Sequence, residues 1–360
     1  MSSLKLAIMP GLLIAALGAS AAAHAEVKYM LTHLKPSCDG SVIPIAMNNR
    51  GQVVASVYPI ASPRTSRPVM WSAGVPRDLN IGEAGELVPI AINDAGTVAL
   101  NRASDGAAFL VQTARSLQVL GRVMATQPNT RVTAINRNNQ VTGYFEDLNV
   151  RVDQPENTPS YSFAGAARNE RIIGGLPASS SATSINDAGQ VVGYMNIAAD
   201  QFRTVNHTFL YANGRVTDLG SLNGAQGSSV PAKINNRGVV VGYSTVKDKF
   251  GTSAFAYDRG QMYDLGALVS WGTSAAKDVN DAGDVVGTSQ AAHSGAPTLN
   301  AAFVRPRTGI MQDLNALIDP ASGWYLAEAV AINNKGQILV RGYKRERNEW
   351  QSGAVLLTPR

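Results

Sequence analysis

The sequence predicts an all-β protein built from repeats, and three observations support this fold class. One short turn pattern recurs seven times, at intervals of 43 to 53 residues. Short segments rich in Val and Phe follow each copy, and no long stretch has the apolar period of an amphipathic helix. The chain is 45% hydrophobic and 16% charged, which supports a packed core and excludes a disordered polymer.

The repeated turn reads apolar-Asn, two turn residues and then Gly. Asn favours the start of a type I turn because its side chain bonds the backbone two residues on. Gly permits the positive φ of the bulge that follows, and Asn139, which replaces Gly in the third copy, also tolerates it. The copies begin at Asn48, Asn93, Asn136, Asn186, Asn235, Asn280 and Asn333.

Each repeat contains four strand segments. The first two flank the Asn turn. The third is a small-Phe-apolar segment such as Ala254-Phe255-Ala256, and the fourth is an Asp-Leu segment such as Asp264-Leu265. Four-stranded units of about 40–50 residues are typical of β-propeller blades. The sequence therefore predicts a seven-bladed β-propeller of four-stranded antiparallel blades.

The two chain ends predict how this ring closes. The seventh repeat stops at Arg360 after its third strand, without an Asp-Leu segment. Val27 to Leu34 reads as a strand that precedes the first complete repeat. We expect this N-terminal strand to join the last blade, because doing so covers an exposed sheet edge.

The first 25 residues read as a secretory signal peptide. Lys5 precedes an apolar core, and Ala23-His24-Ala25 forms a small-x-small cleavage site. The alternative is an uncleaved anchor, but the apolar run is shorter than the roughly 20 residues that span a bilayer. We expect a single mature domain, residues 26–360, exported to the periplasm or the extracellular medium and without a transmembrane segment.

Composition leaves little material for catalysis or metal binding. One Cys, Cys38, excludes an intrachain disulfide framework, and four His limit His-based sites. The turns lack the alternating oxygen ligands of a calcium loop, and no nucleophile elbow or nucleotide loop occurs. We expect no catalytic, metal-binding or cofactor-binding residues. The formal charge of +5 is too small an excess to indicate nucleic acid.

Aromatic residues are the candidate binding positions. Tyr144, Tyr194 and Tyr243 each follow a Gly at the end of the second strand, as does Tyr343. They form either a partial aromatic ring at one face or packing between blades. Trp271, Trp324 and Tyr325 fall in connections between blades, where they are either exposed anchors for a partner or plugs in blade contacts.

Connection lengths predict which face binds. In an up-and-down blade, the first-to-second and third-to-fourth turns share one face, and these are short and regular. The second-to-third loops and the blade links share the other face, and these are long and varied, as in 144–162, 194–207 and 288–300. Long loops on a rigid scaffold usually carry binding, although they are alternatively only tolerated insertions.

The repeats resemble those of a bacterial extracellular family, the HAF repeat proteins. The resemblance rests on the Ile-Asn-Asn/Asp-x-Gly turns, the small-Phe strands, the stretch 313–324 and the ending Leu356-Leu357-Thr358-Pro359. The literal His-Ala-Phe signature is absent, and His207-Thr208-Phe209 is its nearest copy. The resemblance covers nearly all of the mature chain and implies export and a repeat fold.

These features predict an exported, monomeric, non-catalytic binding or structural propeller that engages a protein or glycan on the long-loop face. The alternative is a propeller enzyme of hydrolase or lyase type that acts in the central funnel, because propellers host many chemistries. Carboxylates with a His or Arg at the funnel mouth would favour the enzyme, whereas Tyr and Trp would favour binding.

Overall fold

A computed structural model of the chain describes residues 27–61, 65–79, 85–112, 118–123, 129–147, 159–166, 169–291, 299–346 and 349–360. Within these residues, 28 strands form seven sheets of four strands. Each sheet is antiparallel, which confirms the predicted seven-bladed β-propeller. The predicted signal peptide, residues 1–25, lies outside the described residues, as do the loop segments 148–158 and 292–298.

Blades 1 to 3 are consecutive four-stranded meanders. Blade 1 comprises β2 (Gly40–Met47), β3 (Val53–Pro59), β4 (Arg67–Ser72) and β5 (Val75–Asp78). Blade 2 comprises β6 (Leu87–Ile92), β7 (Thr97–Arg102), β8 (Ala108–Gln112) and β9 (Gln118–Val123). Blade 3 comprises β10 (Thr130–Ile135), β11 (Gln140–Glu146), β12 (Ser160–Ala166) and β13 (Asn169–Ile172).

Blades 4 to 6 repeat the same order. Blade 4 comprises β14 (Ser180–Ile185), β15 (Val191–Ala198), β16 (Thr204–Ala212) and β17 (Arg215–Gly220). Blade 5 comprises β18 (Ser229–Ile234), β19 (Val240–Thr245), β20 (Thr252–Asp258) and β21 (Gln261–Asp264). Blade 6 comprises β22 (Ser274–Val279), β23 (Val285–Ala291), β24 (Leu299–Arg305) and β25 (Gln312–Asp313).

The N-terminal strand completes blade 7. This blade comprises β26 (Trp324–Ile332), β27 (Ile338–Glu346), β28 (Glu349–Pro359) and, at its outer edge, β1 (Tyr29–His33). β1 pairs antiparallel with β28, from Tyr29 opposite Pro359 to His33 opposite Val355. The predicted closure of the ring by the two chain ends is therefore confirmed.

Helices are few and short in the described residues. They are three 3-10 segments, Gly224–Gln226, Leu314–Leu317 and Pro320–Ser322, all in blade links. No helix of the described chain is long and apolar enough to cross a membrane.

The seven Asn turns have the predicted geometry. In each turn, the N–H of the residue at the Gly position donates to the carbonyl of the first Asn at 3.0 to 3.1 Å. The φ of that residue is positive, from 58° at Asn139 to 94° at Gly283. Asn139 thus takes the left-handed conformation that Gly supplies in the other six copies.

In four blades, a glycine on the second strand lies opposite a buried phenylalanine on the third strand. The pairs join the second and third strands: Gly143 with Phe163, Gly193 with Phe209, Gly242 with Phe255 and Gly287 with Phe303. A β-carbon on any of these glycines would lie within 2.9 Å of the paired ring. The glycine therefore makes room for the phenyl ring, whereas blade 7 pairs Val340 with Val355.

Candidate functional site on the long-loop face

Strand order gives the propeller two chemically different faces. The first strands of neighbouring blades contact each other all round the ring, so they line the central channel. The first-to-second and third-to-fourth turns lie at one end, here called the Asn-turn face. The second-to-third loops and the blade links lie at the other end, here called the long-loop face.

A ring of buried side chains narrows the channel at the Asn-turn face. The Nδ2 of each first Asn donates to the carbonyl of the first Asn in the next blade, from Asn48 to Asn93 at 2.9 Å and finally from Asn333 back to Asn48 at 3.4 Å. The cavity at this ring measures about 120 Å³. Organic ligands usually occupy about 300–1,000 Å³, so this mouth is small for a substrate.

A second set of hydrogen bonds joins the residues that follow the ring asparagines. The backbone N–H of Asn49 donates to Oδ1 of Asp94 at 2.8 Å, and that of Asn334 donates to Oδ1 of Asn49 at 2.8 Å. The backbone N–H of Arg137 donates in the same way to Oδ1 of Asp187. The guanidinium group of Arg137 has no acceptor atom, so it cannot accept the equivalent bond from the backbone N–H of Asp94. The acidic turn residues therefore serve to connect blades.

Four of the five charged residues on the described first strands come from blades 5 to 7, and Arg131 of blade 3 is the fifth. Asp278 is buried, and its Oδ2 accepts from the Ile332 N–H at 2.9 Å. Burial raises the pKa of Asp278, and nearby Lys233 opposes that rise. Lys277 Nζ lies 2.9 Å from Oε1 of Glu328. Both carboxylates are thus held by the protein's own groups, which favours a structural role over acid–base catalysis.

Exposed aromatic side chains concentrate on the long-loop face. Trp271, in the link from blade 5 to blade 6, is 64% exposed, and Phe202 is 87% exposed. Phe250, between β19 and β20, is also exposed, as is Trp350, the second residue of β28 at the same end of the propeller. Among the described residues, Tyr263 on β21 is the one strongly exposed aromatic side chain outside this face.

Two of these aromatics occupy the same loop of consecutive blades. Phe202 follows Asp200 between β15 and β16, and Phe250 follows Asp248 at the same spacing between β19 and β20. Oδ1 of Asp200 accepts from the N–H groups of Phe202 and Arg203, both at 2.9 Å. This turn holds Phe202 outward. The Asp-x-Phe pattern that recurs in these two loops is the sequence signal that could have located this pair of residues.

The structure places Trp324 and Tyr325 at the start of β26, not in a blade link as predicted. The Trp324 ring packs edge-on against His33, with centroids 4.9 Å apart, and covers Gly353. The Tyr325 hydroxyl donates to the Asn300 carbonyl at 2.9 Å, and burial raises the pKa of Tyr325 to about 12. These contacts indicate that both residues pack within the protein, as plugs in blade contacts, rather than standing exposed as anchors for a partner.

Tyr144, Tyr194 and Tyr243 occupy one equivalent position in three consecutive blades. Burial raises the pKa of Tyr144, Tyr194 and Glu146 add to the rise, and Arg131 opposes it. Tyr144 and Tyr194 are half-buried, and Tyr243 is exposed. The three side chains therefore form an arc. Tyr343 lies outside it, because it pairs with Tyr325 two residues beyond the equivalent position.

Residues 179–358, half of the chain, match the model of a family described as proteins of unknown function, DUF3466. The chain belongs to this family. A search of curated proteins finds no match. Family membership therefore leaves the function to be argued from the site.

Solved structures share the propeller fold at low sequence identity. The β-propeller domain of the Trilobed protease from Pyrococcus furiosus, with an open velcro topology, is 8% identical with a TM-score of 0.57, over 87% of this chain and 97% of that one. Oligogalacturonate lyase from Vibrio parahaemolyticus is 10% identical with a TM-score of 0.59, over 91% and 93%. Acylaminoacyl peptidase from Pyrococcus horikoshii is 12% identical with a TM-score of 0.59; the match covers 89% of this chain and about half, 52%, of that one.

Proposed function

We propose that this protein is an exported, non-catalytic binding propeller whose long-loop face engages a partner. The observation that carries the proposal is the exposure of Phe202, Phe250 and Trp271 on that face. Large aromatic side chains are enriched among the residues that dominate binding energy at interfaces. The long-loop face is distinguished by its aromatic side chains, because exposed aliphatic residues such as Val75 and Ile310 also occur on the opposite face.

The two faces differ in a way that supports this assignment. The Asn-turn face is built from short turns that hydrogen-bond to one another around the ring. The long-loop face carries connections of different lengths on a rigid frame, and the Asp200 turn shows that at least one of them is held in a defined shape. A pre-shaped loop that presents an aromatic ring loses little entropy when it binds.

Export is part of the proposal and rests on the sequence. The N-terminal 25 residues have the pattern of a cleaved signal peptide, and the resemblance to the HAF repeat proteins implies the same route. A hydrolase or lyase acting in the funnel has less support, because Asp278 and Glu328 are bonded to protein groups.

Site-specific photo-crosslinking tests the proposal. Benzoylphenylalanine is placed at Phe202, Phe250 or Trp271 in the full chain expressed in its natural host. Matched controls carry it at Val75, the first residue of β5, and at Ile310, in the β24–β25 turn; both lie at the Asn-turn face and are 66% and 80% exposed. We expect adducts from the long-loop positions only, and their mass identifies a protein or a glycan. Equal adducts from Val75 and Ile310 would contradict the proposal.

A further inference from the structure

A cleft between blades 5 and 6 opens on the Asn-turn face, opposite the proposed partner surface. It encloses about 590 Å³, within the range of about 300–1,000 Å³ that organic ligands occupy. Its walls are the Asn turn and the β20–β21 turn of blade 5, and the β22–β23 turn and the end of β24 in blade 6. It is therefore independent of the long-loop face.

Four arginines line this cleft: Arg237, Arg259, Arg305 and Arg307. In the described part of the chain, none of their guanidinium nitrogens lies within 4.0 Å of a carboxylate oxygen. The side chain of Arg307 lies over Gly283, with Cδ 3.1 Å from the place a β-carbon would occupy. The cleft thus gathers unpaired positive charge on both of its walls.

The fold itself does not need these arginines. Arg305 stands opposite Val285. The equivalent pairs in five of the six other blades place Trp71, Val111, Tyr211, Tyr257 and Leu357 at this position, and blade 3 places Gly165 there. Packing therefore favours an apolar or aromatic residue there. At the position of Arg237 in the turn, three other copies have Ala95, Ala188 and Ala282, whereas Arg50 and Lys335 are basic as Arg237 is. The turn therefore forms with or without a basic residue, and the departure that marks this cleft is Arg305.

The other cleft residues narrow the ligand class. Asp258 and Asp264 also line it, and their carboxylates accept hydrogen bonds from hydroxyl groups while repelling a dense polyanion. Tyr263 presents a ring that is 48% exposed, a flat apolar surface suited to the face of a sugar. Guanidinium groups bind carboxylates in a bidentate fork. We infer that this cleft binds an acidic oligosaccharide, with arginines on its carboxylates and Asp258 and Asp264 on its hydroxyls.

Titration calorimetry with a tetrasaccharide of uronic acid tests the inference. We expect the Arg237→Ala/Arg305→Tyr double variant to lose about tenfold or more in affinity, since two charge-assisted contacts are removed. Both replacements occur at equivalent positions of other blades, so the melting temperature reports that the fold is kept. The matched control is Arg50→Ala, the same turn position in blade 1, which we expect to bind as the wild type does.

Four further titrations decide the ligand chemistry: the neutral tetrasaccharide, the acidic one with added salt, inorganic phosphate and single-stranded DNA. The carboxyl-reduced, neutral tetrasaccharide is expected to bind much more weakly, and added salt is expected to weaken the acidic one. Inorganic phosphate is expected to bind weakly, because it engages only one part of the cleft. Equal binding of the neutral sugar, an unaffected double variant, or tighter binding of single-stranded DNA than of the uronic acid oligomer would each overturn the inference.

Discussion

The phenyl ring of Phe209 occupies the space that a side chain on residue 193 would need. A β-carbon on Gly193 would lie 2.7 Å from Cε1 of Phe209 and 2.3 Å from the carbonyl oxygen of Ser181. The same relationship recurs in blades 3, 5 and 6. The Gly that ends the Val-rich segment of these second strands is therefore required by packing, unlike the Gly of the Asn turns, which is required by its φ.

The Gly193→Ala variant is expected to lose about 1–3 kcal/mol of unfolding free energy, because the added methyl meets a ring and a backbone carbonyl. Gly174→Ala is the matched control, since no atom lies within 4 Å of its β-carbon position, and it should stay within about 0.5 kcal/mol of wild type. Chemical denaturation measures both. A Gly193 variant as stable as the Gly174 variant would contradict the packing role.

The asparagine ring should contribute stability through its buried amides. Asn186 donates to the Asn235 carbonyl at 3.0 Å and to Gln190 at 2.7 Å. Asn186→Ala leaves buried partners unsatisfied and is expected to cost about 1–3 kcal/mol. Asn236→Ala removes an exposed side chain from the outer set of bonds and should cost less than about 1 kcal/mol. Thermal melting compares the two variants, and equal losses of stability would contradict the larger contribution expected of the buried ring.

Asp278 gives stability a defined pH dependence. Burial raises its pKa in the folded state above the unfolded value of about 3.9. Between these two pKa values the folded state binds more protons, so this residue's contribution to stability rises as pH falls through that window. The Asp278→Ala variant should remove this contribution. Alanine is the residue at the equivalent position of blade 7, Ala331. The melting temperatures of the wild type and the variant are measured from pH 7 to pH 4. The same pH dependence in both proteins would contradict this role of Asp278.

The closing strand is expected to be essential for stability. On β1, Leu31 packs against the core of blade 7, whereas Met30 is exposed. Leu31→Ser should lower the melting temperature clearly, because it removes buried apolar surface at the point where the ends of the ring meet. Met30→Ser, on the same strand, should change it little. Deletion of residues 26–34 should have the largest effect, and an unchanged melt would show that the ring holds without closure.

The turns, the meander and the closure were predictable from the sequence because each depends on local chemistry or on counting. Asn and Gly at fixed positions specify the bulged turn, and the missing last strand at Arg360 points to the N-terminus. The asparagine ring was not predictable in this way, since the bond from Asn48 to Asn93 exists only after neighbouring blades are placed side by side.

The candidate site was only partly predictable. Trp271 is exposed as expected for an anchor, but Trp324 belongs to a strand because the 3-10 segments before it end the link earlier. Tyr343 follows a Gly as Tyr144 does, yet Arg341 takes the equivalent position after Val340. A preceding Gly therefore does not establish that two tyrosines occupy the same position in the sheet. Resemblance to the HAF repeat proteins and export remain predictions.

Binding at the long-loop face is measured by amide hydrogen exchange of the protein with and without its crosslink-identified partner. We expect slower exchange in the partner complex at residues 199–203, 246–251 and 269–273, and no change at the turn 306–311. Slower exchange confined to the Asn turns, with the loops that carry Phe202, Phe250 and Trp271 unchanged, would contradict it.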